Sequence, residues 1–148
     1  MAMSCSLGNT LTVKLQTIDD KMMFAAAARE NPEVIIDYFP PAGTGKGYTS
    51  LEVLMISFGS CISSTVISLL RYRMKKTVSG VATVVNGTVR EEHPKALDRI
   101  FVTMKISADD VSEAEVQTAV KLAEDTMCPV WSMIKGNVAV EIKTEICH

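Results

Sequence analysis

TSLEVLMISFGSCISSTVISLL, running from Thr49 to Leu70, decides how the rest of the chain is read. Thr49 and Ser50 are both good helix N-caps, and the apolar residues after them continue to about Tyr72. Leu51 to Leu70 is apolar enough to resemble a membrane span, and arginine and lysine follow it. Against a span, Glu52, Ser57, Ser60, Ser63, Ser64, Thr65 and Ser68 interrupt it, and no second such segment exists. The favoured reading is a buried central helix, not a membrane segment. Apolar residues on most of its faces require cover almost all round. Ser57, Ser60, Cys61, Ser64 and Ser68 follow one another in steps of three and four, which places them on one stripe. A stripe of small side chains lets another backbone come close.

Upstream, Leu11, Val13 and Leu15 alternate with Thr12, Lys14 and Gln16, the pattern of a half-buried strand ending at Thr17. Asp19-Asp20 marks a turn, Lys21 to Arg29 is read as a hairpin strand, and Glu33 to Phe39 as a third strand. Gly43-Thr44-Gly45-Lys46-Gly47 looks like part of a phosphate loop. A Walker motif needs a glycine where Pro40 stands and a hydroxyl where Gly47 stands, so a flexible lead-in to the helix is expected instead.

Downstream, Thr77 to Arg90 reads as a valine-rich strand with Asn86-Gly87 as a turn or bulge. Ile100, Val102, Met104 and Ile106 alternate as the inner face of another strand. Ser112 with Glu115 forms a capping box that opens a second helix, with Val116, Ala119, Val120, Ala123 and Met127 as its apolar stripe. Pro129 must kink or restart that helix, with Cys128 directly before it. Val138 to Ile146 alternates regularly as the last strand. The order of three strands, helix, two strands, helix, strand predicts one α+β domain over residues 1–148, with residues 1–10 loosely ordered. The apolarity of Leu51 to Leu70 predicts a homodimer with the long helices near the interface. A sheet wrapped wholly round the helix is the rival explanation.

The chain has 148 residues, 47% hydrophobic and 22% charged, which excludes disorder. A net charge of −2 argues against nucleic acid as a partner. Arg71, Arg73, Lys75 and Lys76 form one basic stretch, read as cations at a helix C-terminus. The four cysteines, Cys5, Cys61, Cys128 and Cys147, show no CxxC spacing, and His93 and His148 are the only histidines, so no metal site is expected. No secretory signal is read at the start, and a cytoplasmic protein with reduced thiols is expected. From spacing alone, Cys61 and Cys128 are inert packing by default. Their catalytic use would require the two helices to bring together sulfurs 67 positions apart.

Three stretches carry a family resemblance: TSLEVLMISFGSCISSTVISLL from Thr49, HPKALDRIFVTMKI from His93 and LAEDTMCPVWSMI from Leu122. With the order of elements between them, the chain from Leu11 to Ile146 resembles a less characterised branch of the OsmC/Ohr family. The resemblance implies an OsmC-like α+β fold, an antiparallel sheet with two long helices, in an intertwined homodimer. It also implies reduction of organic hydroperoxides by a cysteine pair at the dimer interface, in oxidative-stress defence. No metal or organic cofactor is implied. The reductant is a dithiol, of lipoyl type in some members. By position, Cys61 would be the peroxidatic thiol and Cys128 the resolving one. The family's thiolate-stabilising arginine has Lys21, Arg29 and Lys46 as candidates here. Its helix-leading glutamate aligns with Leu51, and Glu52 follows one residue later as a weaker catalytic candidate.

Each of these residues has a plainer role beside it. Glu52 suits the helix dipole, Lys21 and Arg29 suit solvated strand ends, and Trp131 and Met133 suit a core or pocket wall. The alternative function is a non-catalytic module of the same fold that binds a small apolar molecule or senses redox state.

Overall fold

The computed structural model describes residues 10–148; Cys5 and the loose order expected for residues 1–9 lie outside them. The chain divides into two compact units, Met1–Glu52 and Val53–His148.

The first unit holds a three-stranded antiparallel sheet of β1 (Lys14–Thr17), β2 (Phe24–Ala27) and β3 (Val34–Ile36), in that order. Asp19 makes the expected turn between β1 and β2, its Oδ1 accepting the backbone N–H groups of Lys21 at 2.9 Å and Met23 at 3.0 Å. The half-buried strand expected from Leu11 is corrected: β1 starts at Lys14, and all four of its residues are exposed. A short edge strand has only β2 beside it, so alternation alone cannot bury its apolar face. Leu11, Val13, Leu15 and Ile18 all stand open within the chain.

The segment after β3 is also corrected, because it is not a loose lead-in. Asp37 is fully buried and gathers the chain round its carboxylate. Oδ1 accepts the Tyr38 N–H at 2.8 Å, and Oδ2 accepts the Thr44 N–H at 3.0 Å and the Thr44 hydroxyl at 2.6 Å. These bonds, the Thr44 hydroxyl first, lower the Asp37 carboxyl from 3.8 to about 2. Gly43 is required there, since a Cβ would lie 2.2 Å from the Tyr38 carbonyl oxygen.

The first turn of α1 (Ser50–Ser68) contains the boundary between the units, and the rest of α1 belongs to the second. A wider π-helical turn, Leu69–Arg73, ends it. The sheet of the second unit has the order β4 (Val78–Val89), β5 (Leu97–Ala108), β6 (Ala139–Cys147). The β4–β5 pair is antiparallel, but β5 and β6 run parallel, which corrects the expectation of a wholly antiparallel sheet. The physical reason is the connection: a helical crossover from β5 brings the chain back to start β6 at the same end. Asn86-Gly87 lies inside β4 without a turn, and the ladder irregularities fall instead between Val78 and Gly80 and between Thr88 and Val89.

Ile100, Val102, Met104 and Ile106 are all fully buried, the inner face expected of β5. Phe58, Ile62 and Val66 of α1 are also fully buried. The helix packs tightly on β4 at Gly59, where a Cβ would sit 2.8 Å from Val85 Cγ2. One turn further on, the Ser63 and Thr83 hydroxyls meet at 2.6 Å. The small-residue stripe does not make this approach: Ser57, Ser60, Ser64 and Ser68 are exposed within the chain. Ser50–Arg73 is long and apolar enough to cross a membrane, with mean hydropathy 2.0 over an 18-residue window, yet only 33% of that window is buried inside the chain.

The capping box at Ser112 forms as expected and opens α2 (Glu113–Leu122). A second π-helical turn, Ala123–Met127, follows, and then the short α3 (Pro129–Ile134). Two residues of the basic stretch are tied into the fold. Arg71 donates to the Val78 carbonyl through Nε at 3.0 Å and a terminal nitrogen at 2.6 Å, and Lys76 pairs with Glu115 at 3.0 Å.

Candidate active site

The site lies where α1 meets the break between α2 and α3. In a regular α-helix Met127 would follow Ala123 on the buried stripe. The structure shows otherwise, with Met127 50% exposed and Cys128 only 2% exposed. The cause is the wide turn: the Cys128 N–H reaches back five residues to the Ala123 carbonyl at 3.0 Å. One extra residue per turn moves Cys128 into the place the stripe assigns to Met127. Pro129 then serves as the first residue of α3, where its missing N–H costs nothing.

Cys61 and Cys128 are brought together. Their sulfurs are 3.2 Å apart, and the Cys128 thiol donates to Cys61. That separation is about 1.2 Å longer than a disulfide bond. The rings of Phe58 and Trp131 pack edge to face beside them, with centroids 5.7 Å apart and planes at 78°. These two residues lie three positions from Cys61 and Cys128 respectively, so the ring pair and the sulfur pair fasten the same two elements. Cys61 is half-buried, and all three described cysteines, including exposed Cys147, are free thiols.

Burial first, and the neighbouring Cys61 sulfur second, push the Cys128 thiol up from 9.0 to about 11. The backbone N–H groups of Trp131 and Val130 act in the opposite direction but do not prevail. The helical turn that starts at Pro129 therefore does not make Cys128 an anion. Cys128 is the sulfur that keeps its proton, and Cys61 is the sulfur that receives it in a hydrogen bond.

Two clefts open near the pair. One of about 300 Å³ is lined by Cys128, Met127, Pro129 and Ser132 together with Glu124 and Asp125. Another of about 390 Å³ is lined by Ser64, Thr65, Ser68, Leu69 and Met127. Lys121 and Lys135 bracket Glu124 and Asp125 in a surface ion-pair group, with Lys121 closest to Asp125 at 3.1 Å. Among the described residues, no group of three or more His, Cys, Asp or Glu side chains is arranged to hold a metal ion.

Glu52 is engaged at the start of α1. Its Oε2 accepts the Thr49 N–H at 3.1 Å, and its own N–H donates to Thr49 Oγ1 at 3.3 Å, a second capping box. The Thr49-x-x-Glu52 spacing in the sequence signals that box directly. The three candidate cations all belong to the first unit. Lys21 lies in the β1–β2 turn, Arg29 follows β2 in a left-handed conformation with φ 58°, and Lys46 donates its N–H to Asp37 Oδ2 at 3.4 Å. Asp37 was not singled out in the sequence. Its signal is an acidic residue followed by a Gly-Thr-Gly turn within side-chain reach.

A paired-thiol protein of α+β fold, with its sulfurs held between two helices, is the class these features define. Residues 43–143 match the sequence profile of OsmC-like proteins, and the chain belongs to that family. Its fold is similar to that of a hypothetical protein from Aquifex aeolicus VF5, at 25% identity and TM-score 0.80, covering 95% of this chain and 98% of that one. An OsmC-like protein from Mycoplasma pneumoniae matches with TM-score 0.79 at 17% identity, over 94% and 98% of the two chains. The organic hydroperoxide resistance protein OhrB of Bacillus subtilis matches with TM-score 0.64 at 16% identity, over 92% and 98%. No curated protein sequence matches this chain.

Proposed function

We propose that this chain reduces organic hydroperoxides through Cys61 and Cys128, as a thiol-dependent peroxidase in oxidative-stress defence. The observation that carries the reading is the 3.2 Å sulfur contact with Cys128 as donor. Cys61, as thiolate, attacks the peroxide O–O bond. The alkoxide leaves and takes a proton to become the alcohol, and Cys61 becomes a sulfenic acid. Cys128 then attacks the Cys61 sulfur, the sulfenic oxygen leaves with a proton as water, and a Cys61–Cys128 disulfide remains. An external dithiol, of lipoyl type or similar, reduces that disulfide by exchange. Phe58, Met127 and Trp131 give the surroundings an apolar character suited to an organic peroxide. Glu52 serves the start of the helix in this scheme, and no proton step is assigned to it.

The working form is a homodimer, located in the cytoplasm. Support comes from apolar surface that the chain itself leaves open: Leu11 80% exposed, Phe39 67% and Ile56 53%. A second copy that covers such surface also removes the need for a membrane round α1. The kinship with a protein named for organic hydroperoxide resistance points the same way.

The test is consumption of cumene hydroperoxide with dithiothreitol, followed by stopped flow. The parent is expected to turn over, Cys61→Ser to be inactive, and Cys128→Ser to stop at a sulfenic acid that dimedone traps. Consumption by Cys61→Ser at the parent rate would overturn the proposal.

A further inference from the structure

We infer that the Cys61–Cys128 pair is a chelating site for trivalent arsenicals of the type R–As=O. Such capture depends only on the spacing and seclusion of the two sulfurs and stands apart from peroxide chemistry. Paired thiols are soft ligands that select soft, thiophilic centres. Which centre fits is decided by the angle. A centre bonded to both sulfurs at about 2.3 Å, the length of a zinc–thiolate bond, subtends about 90° when the sulfurs are 3.2 Å apart. Trivalent arsenic is pyramidal, its lone pair pressing its bonds toward that angle. Tetrahedral zinc needs sulfurs about 3.8 Å apart, and a linear two-coordinate ion about 4.6 Å. The fold therefore holds the bite that arsenic uses and is too narrow for the other two. The Phe58–Trp131 pair and the Gly59–Val85 contact anchor the flanking elements, so widening the gap would disturb packed core.

The reaction balances without a redox step. Two As–S bonds form, the As=O bond is lost, and both thiol protons leave with that oxygen as one water. Arsenic stays trivalent and both sulfurs stay at the thiol level. The 300 Å³ cleft that reaches Cys128 gives the organic substituent a place to stand.

The probe is phenylarsine oxide, titrated into the reduced full-length chain without oxygen. Intact mass spectrometry should show one phenylarsenic per chain, the mass of the reagent less one water, with two thiols lost. Peptide mapping should find arsenic bridging Cys61 and Cys128, which needs no variant. Chelation makes the second As–S bond intramolecular, so Cys61→Ser, Cys128→Ser and Cys128→Ala should each hold the probe about 100-fold or more weakly against a competing dithiol. Cys147→Ser should hold it as the parent does. Arsenic found on Cys5 or Cys147 instead, single-thiol variants as tight as the parent, or zinc competing on equal terms would each overturn the inference. Capture without hydroperoxide turnover would leave this inference standing and sink the proposed peroxidase; turnover without capture would do the reverse.

Discussion

Raising the pH should expose the asymmetry between the cysteines. With the Cys128 thiol at about 11, about one molecule in a thousand carries that thiolate at pH 8. At the ordinary value of 9.0 it would be about one in ten, so proton affinity alone slows Cys128 about 100-fold. Burial also hinders a reagent sterically, but that hindrance lowers the whole rate profile without moving its midpoint. The assay is iodoacetamide labelling of the reduced chain from pH 7 to 11, with Cys128 and Cys147 counted separately by peptide mass spectrometry. The Cys128 rate should climb about tenfold per pH unit and bend only near 11. In Cys61→Ser the Cys128 midpoint should fall, because the neighbouring sulfur is one cause of the rise. It should stay above 9.0, because burial is the largest cause. A Cys128 midpoint at or below 9.0 in the parent would refute the account of which sulfur keeps its proton.

Other perturbations address the frame round the site. Gly59→Val should destabilise the fold by about 1–3 kcal/mol, because its side chain meets Val85; Val85→Ala in the same chain should recover part of that in denaturant melts, and strict additivity would count against the contact. Thr49→Ala removes one half of the capping box at the start of α1 and should cost about 0.5–2 kcal/mol, read in the same melts. Asp37 has a lowered folded pKa, so its contribution is fully present above its unfolded value of 3.8 and is lost as the pH falls from there toward about 2. Asp37→Asn should therefore flatten the acid limb of the stability curve in that window, and hydrogen exchange at the Thr44 and Lys46 amides should quicken.

What could be read before folding follows the range of the forces involved. The alternation of Ile100 to Ile106 and the Ser112–Glu115 box are local signals, and both appear in place. The element order followed from such signals, as did the restart of the helix at Pro129. The β5–β6 direction depends on a crossover spanning thirty residues, which no local pattern encodes. Leu11 to Leu15 alternates as a half-buried strand should, yet none of the described residues covers it. Periodicity reports which face wants cover, not what supplies it. At the site, the two cysteines were named from resemblance, and their meeting depends on helix packing. The role of Asp37 was hidden because its partners lie up to nine residues away in a stretch that reads as loop.

The π-helical turn at Ala123–Met127 acts as a length buffer. Losing one of Glu124, Asp125 or Thr126 would leave an ordinary α-helical turn with the thiol still one turn beyond Ala123. Chains that differ by a single codon here can thus share one sulfur geometry while their spacing patterns disagree. A search for the second cysteine at a constant interval from the helix start would overlook one of the two spacings.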